Sequence, residues 1–90
     1  MADMIVSFRV MPEDGETDYS VLESKVKETV ETYNETVKVK SISEEGVGFG
    51  LKAVAIEFRI DETYGSEELE NKLAEIPEAG EVNLTKMDRL

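Results

Sequence analysis

The sequence predicts an α+β fold of two layers, with two helices on one face of a four-stranded antiparallel sheet. Three observations carry this. Two segments repeat apolar residues at helical period, four others alternate apolar with polar residues, and they follow one another as strand, helix, strand, strand, helix, strand. Both helices carry one apolar stripe and the strands have one strongly apolar face, so placing both helices against that face buries every stripe in two layers.

The first strand spans Met4 to Val10, with Met4, Val6, Phe8 and Val10 on one side and Ile5, Ser7 and Arg9 on the other. Pro12 and the turn pair Asp14-Gly15 take the chain out of the sheet. A helix follows, because Tyr19, Leu22, Val26, Val30 and Tyr33 recur at helical spacing and Glu23, Lys27, Glu28 and Glu31 fill the other side. Two starts fit: Asp18 as the cap, or Ser20 with Glu23 as a capping box. A second strand begins at Val37 and runs to about Ile42. Residues Ser43 to Gly50 read as a loop, in which three glycines surround Phe49 and hold it away from either strand. Leu51 to Ile60 is the clearest strand, with Val54, Ile56, Phe58 and Ile60 on one face and Ala53, Ala55, Glu57 and Arg59 on the other. The chain then turns through Asp61 to Gly65.

A shorter helix from Ser66 to Ile76 carries the stripe Leu69, Leu73 and Ile76, with Ser66 as N-cap and Glu67 and Glu68 near its positive end. Pro77 stops it, Glu78-Ala79-Gly80 reads as a loop, and a last strand containing Val82 and Leu84 runs nearly to the C-terminus. This order is that of a ferredoxin-like sandwich, βαββαβ, in which right-handed crossovers put the first and third strands in the middle. The 90 residues make one domain, 1–90, with no linker or repeat.

Composition removes whole classes of function. The chain has 10 Lys+Arg against 21 Asp+Glu, a net charge of −11, and neither Cys nor His. Zinc fingers, iron-sulfur clusters, haem ligation, thiol nucleophiles and histidine-based triads are therefore excluded, and no cofactor is called for. Nucleic acid and anionic membranes need a basic surface, so a basic protein partner fits better. The N-terminus carries no targeting signal and no apolar run spans a bilayer, which gives the expectation of a cytoplasmic protein.

The carboxylates sit mostly on polar helix faces or in turns, where solvated charge is ordinary, so an acid/base enzyme is not expected. Asp14, Glu16 and Asp18 lack the twelve-residue calcium-loop pattern and read as turn and capping residues. The glycine-rich loop joins strand to strand and follows Glu44 and Glu45, so it is no phosphate cradle. Phe49 either folds back over the sheet edge or stands as an anchor for a protein pocket. At the end of the chain, Lys86 and Arg89 are cations on a predicted strand. Arg89 is either solvated or held where it can engage a carboxylate or phosphate of another protein. The third strand's outer side lacks the stacking aromatics of RNA-binding sheets.

Three segments, Pro12-Glu13-Asp14-Gly15-Glu16-Thr17-Asp18, Gly48-Phe49-Gly50-Leu51-Lys52 and Met87-Asp88-Arg89-Leu90, resemble in order and spacing the archaeal form of translation elongation factor 1-beta. The resemblance covers essentially the whole chain and implies the fold derived above. It implies a guanine-nucleotide exchange factor that binds the GTPase elongation factor 1-alpha and promotes GDP release so that GTP rebinds during translation. No covalent chemistry is implied, and the factor is expected to be a monomer when free. Carried over by position, Gly48, Phe49, Gly50 and Lys52 form the loop that contacts the GTPase. Arg89 takes the place of a lysine that eukaryotic relatives direct at the magnesium site, and Lys86 and Leu90 near it are expected to join it in a second contact. Those relatives also have Trp where Glu13 stands here. From a different class, a ferredoxin-like module that dimerises or binds a small regulatory molecule also fits the glycine-rich loop.

Overall fold

The computed structural model of the chain describes residues 2–48 and 51–90. The elements are β1 (Asp3–Pro12), α1 (Tyr19–Glu31), β2 (Lys38–Gly48), β3 (Leu51–Asp61), a 3-10 turn (Glu62–Tyr64), α2 (Glu67–Ala74) and β4 (Ala79–Arg89). The strands form one antiparallel sheet in the order β2-β3-β1-β4, so the first and third strands are central as expected. The pairs Met4↔Ile60, Val6↔Phe58, Phe8↔Ile56 and Val10↔Val54 fix the register, and each places two apolar side chains on the helix-covered face. Leu22, Val26 and Val30 from α1, with Leu69 and Leu73 from α2, close the core over them. The rings of Phe8 and Phe58 stack at 6.0 Å between centroids, and Tyr19 and Tyr33 pack at the rim.

The helix ends follow local chemistry. Asp18, not the Ser20–Glu23 pair, caps α1: its carboxylate accepts a hydrogen bond from the Ser20 N–H at 2.9 Å. Asp18→Ala is expected to lower stability by about 1 kcal/mol, read from chemical denaturation. Ser66 occupies the position before α2 but does not cap it. Its hydroxyl lies 3.7 Å from the Met87 sulfur instead, and the helix ends at Ala74, two residues earlier than the stripe suggested.

Two strand boundaries and one burial pattern differ from expectation. Most of the predicted Ser43–Gly50 loop is strand: β2 continues to Gly48, paired along β3, because the backbone of β3 offers partners over its whole length. Its phase survives through a bulge at Lys40, which lets Val39 and Ile42 face the helices although they are three residues apart. Residues Ala79 and Gly80 likewise belong to β4 rather than to a loop. Gly80 is required there by close approach, since a Cβ would lie 2.7 Å from the Pro12 carbonyl oxygen. Lastly, Ala53 and Ile5 are buried although they lie on the face without helices. Small alanines on β3 let Arg9 of β1 reach across that strand to Glu45 of β2, at 3.3 Å.

The connection before β4 is tied down by an ion pair between Lys25 and Glu78 at 2.7 Å, and by the Glu13 N–H donating to the Glu78 carbonyl. The Lys25 hydrogen bond holds the Glu78 carboxyl below its ordinary value of 4.5, and hydrogen bonds from Thr63 lower Asp61 in the same direction. A carboxyl with a lowered folded pKa binds protons more readily in the unfolded chain. Its stabilisation is complete above the ordinary value and disappears as pH falls through the lowered one. Melting temperature is therefore expected to fall on acidification from about pH 6 to about pH 3, and less steeply in Glu78→Gln, which a pH series of thermal melts reads directly.

Candidate functional site: two ends of one sheet

The residues singled out by the sequence are sorted by the sheet to its two ends. At one end β2 and β3 are paired to the pair Gly48↔Leu51, leaving two residues to join the strands. Gly48 has φ +93°, a left-handed conformation that side chains other than glycine's enter with strain. Phe49 and Gly50, the centre of the expected contact loop, lie outside the described residues. Lys52 is paired with Glu44 at 3.0 Å, both side chains being half exposed. The β1–α1 connection closes on the same end. Gly15 sits so that a Cβ would touch the Leu51 side chain at 3.7 Å, and Pro12, Gly15, Tyr19, Leu51 and Lys52 share a small cleft. The connection is shaped by Asp14, whose carboxylate accepts from the Glu16 N–H at 2.9 Å. Burial pushes the Tyr19 phenol well above its usual range, and Glu23 adds to the effect. The first two motif segments, separated by some thirty residues of sequence, thus meet in space.

The third segment lies at the other end. Arg89 is paired with Met4 on β1, and the Leu90 N–H donates to the Asp3 carbonyl at 2.9 Å, so the chain end is held in the ladder to its last residue. Met4 in turn faces Ile60 of β3. Nine residues of extended chain separate Ile60 from Leu51, which at about 3.3 Å each puts the two ends about 30 Å apart. The overall length of 42 Å accommodates that span.

Within the second end the sheet separates two residues that sequence alone groups together. Thr85 forms a bulge opposite Ser7, its hydroxyl donating to the Ser7 carbonyl at 3.1 Å. Before the bulge the even-numbered Val82 and Leu84 face the helix side; after it the odd-numbered Met87 and Arg89 do, opposite Val6 and Met4. Lys86 consequently points to the helix-free face, near Asp88 at 4.0 Å, and does not share a surface with Arg89. Arg89 is 76 % exposed, with its Nε 2.7 Å from Oε2 of Glu62, while Leu90 is 59 % exposed. Around this pair, Met4, Thr63 and Met87 complete a recess of about 460 Å³. Sequence reasoning missed Glu62, because nothing in its spacing from Arg89 signals contact.

Charge is divided just as sharply. The four strands hold seven of the ten cations and seven of the 21 acids, so the sheet is balanced and the helices with their connections carry the whole −11. The helix-free face has a separate shallow hollow of about 240 Å³, lined by Ser7, Ser41, Ser43 and Thr85 beneath the Arg9–Glu45 bridge. It lies on neither motif end. Among the described residues no group of three or more metal-ligating side chains comes together, and no helix is long and apolar enough to cross a membrane.

Comparison with known proteins bears on the fold and on the family. Among solved structures, the ACT domain of GTP pyrophosphokinase from Chlorobium tepidum aligns with a TM-score of 0.65 at 13 % identity, covering 92 % of this chain and 99 % of that one. A de novo designed protein, Foldit4, aligns at 0.64 and 19 % identity over 93 % of this chain and 97 % of that one. These share the ferredoxin-like fold alone. Curated relatives are more informative. Elongation factor 1-beta of Thermoplasma volcanium is 38 % identical over 84 residues, covering 92 % of each chain. That of Caldivirga maquilingensis is 35 % identical over 92 residues, covering 100 % of this chain and 98 % of the relative. That of Methanosphaera stadtmanae is 33 % identical over 91 residues, covering 100 % and 99 %. The model of the EF-1 guanine nucleotide exchange domain matches residues 5–90, from the second residue inside β1's apolar run to the held C-terminal leucine, and the chain belongs to that family.

Proposed function

We propose that the chain is a guanine-nucleotide exchange factor that binds elongation factor 1-alpha and speeds the loss of GDP, so that GTP can rebind during translation elongation. The observation that carries this reading is the exchange-domain match over residues 5–90. The geometry is what such a role asks for: two sets of motif residues presented at fixed separation by one sheet. At about 30 Å apart the two ends cannot enter one pocket, so each meets its own patch on the partner. Phe49 with Gly48, Gly50 and Lys52 makes one contact, and Arg89 with Leu90 makes the other. Lys86, on the opposite sheet face from Arg89, belongs to the rim of the second contact.

No bond is made or broken in this mechanism. Exchange requires tighter binding to the nucleotide-free GTPase than to its GDP-bound form, and reciprocity then weakens GDP by the same factor. Arg89, a guanidinium held on the last residue of a strand, supplies positive charge and planar donors where the partner holds phosphate oxygens or metal-binding carboxylates. The acidic helix layer acts at longer range, drawing a basic surface of the partner towards the factor and orienting the encounter. The deciding experiment loads the GTPase with fluorescent GDP, adds excess unlabelled nucleotide, and follows the signal with and without this chain. Faster decay supports exchange. A ligand-induced rise in melting temperature with no faster decay supports a small-molecule module instead.

A further inference from the structure

Arg89 is already occupied in the free chain. We propose that Glu62 is a positioning residue acting through Arg89: a carboxylate that neutralises the guanidinium until a phosphate or carboxylate group at the partner's nucleotide site takes its place. This rests on the exchange reading above.

The three arginines of the chain are each paired with a carboxylate, Arg9 with Glu45, Arg59 with Asp3 and Arg89 with Glu62. In the first two the guanidinium donates a directed hydrogen bond, at 3.3 and 2.7 Å. The third differs. Arg89 Nε is 2.7 Å from Glu62 Oε2, yet among the described residues no N–H is directed at that oxygen, which is sealed from solvent. The contact is one of charge, without the directed, paired N–H···O bonds that make arginine–carboxylate and arginine–phosphate pairs strong. An incoming group offering two oxygens in the guanidinium plane supplies what Glu62 does not.

The surroundings favour such an exchange of partners. Glu62 is anchored by its own N–H, which donates to the Ala2 carbonyl at 3.1 Å, and Arg89 is anchored in the ladder opposite Met4. The two side chains can part without backbone movement. The carboxylate is the sunken member, 31 % exposed under a guanidinium that is 76 % exposed, so Arg89 can swing outward while Glu62 stays. Departure leaves a shielded carboxylate without its counter-charge, which opposes engagement by any group weaker than a good bidentate acceptor.

The test compares the full-length chain with Glu62→Gln. Side-chain spectra of ¹⁵N-arginine-labelled protein are expected to show the Arg89 Nε–H resonance moving on substitution. The factor concentration giving half-maximal exchange is expected to fall about twofold to fivefold, the range open to an exposed ion pair, with the maximal rate unchanged. The gain is expected to vanish in Arg89→Leu. An unmoved resonance overturns the pairing. A moved resonance with unchanged or slower exchange overturns the competition, and a gain that persists in Arg89→Leu overturns the route through Arg89. Should the wild-type chain itself fail to speed GDP release, the exchange reading falls and this inference with it, whereas the resonance still reports whether the ion pair exists.

Discussion

Removing Arg89 and Leu90 is expected to slow the GDP release that this chain stimulates by at least about tenfold while weakening binding to the nucleotide-free GTPase by less. A hydrogen bond to a charged group is worth about 1.5–3 kcal/mol, roughly tenfold to a hundredfold in an equilibrium or rate. The deletion leaves the core in place, because what it removes lies at the strand end: the Arg89–Met4 ladder pair, the Arg89–Glu62 ion pair, the terminal hydrogen bond to Asp3 and a leucine that is mostly exposed. The comparison that decides is between nucleotide-release rates and affinity for the empty GTPase, measured on the same truncated protein. If both decline in proportion, Arg89 contributes affinity only, and the displacement of GDP originates elsewhere on the interface.

Phe49→Ala is expected to reduce exchange at least about tenfold, an interface loss of about 1.4 kcal/mol or more, with far-UV circular dichroism and melting temperature unchanged. Buried aromatic anchors dominate interfaces because they lose few rotors on binding and remove a large apolar area from water. A drop in melting temperature accompanied by undiminished exchange would assign Phe49 to packing. Combining this substitution with the C-terminal deletion supplies a second check. Sites about 30 Å apart that share no contacts act additively in free energy, so the two rate losses should multiply. A combined loss no larger than the greater single one would mean that both ends act on one step through one contact.

What could be read from the sequence was whatever is encoded locally. The stripes of Leu22, Val26 and Val30 and of Leu69 and Leu73, and the alternation of Val54, Ile56, Phe58 and Ile60, each depend on a period that neighbouring residues carry by themselves. From those periods the element order, the two layers and the central position of β1 and β3 follow by the rules of connection. The motif segments were legible as well, since each is a short run of residues.

Tertiary structure alone decided the rest, and the bulges show why. A bulge is an accommodation between two strands, so the phase change at Lys40 that keeps Ile42 inside, and the one at Thr85 that parts Lys86 from Arg89, cannot be seen in either strand singly. The same holds for the extension of β2 to Gly48, which exists because β3 is there to receive it. Contacts across the fold belong to this class too: Glu62 beneath Arg89, Gly15 against Leu51, and the 30 Å between motif ends are products of register, and register is settled only when whole strands pair.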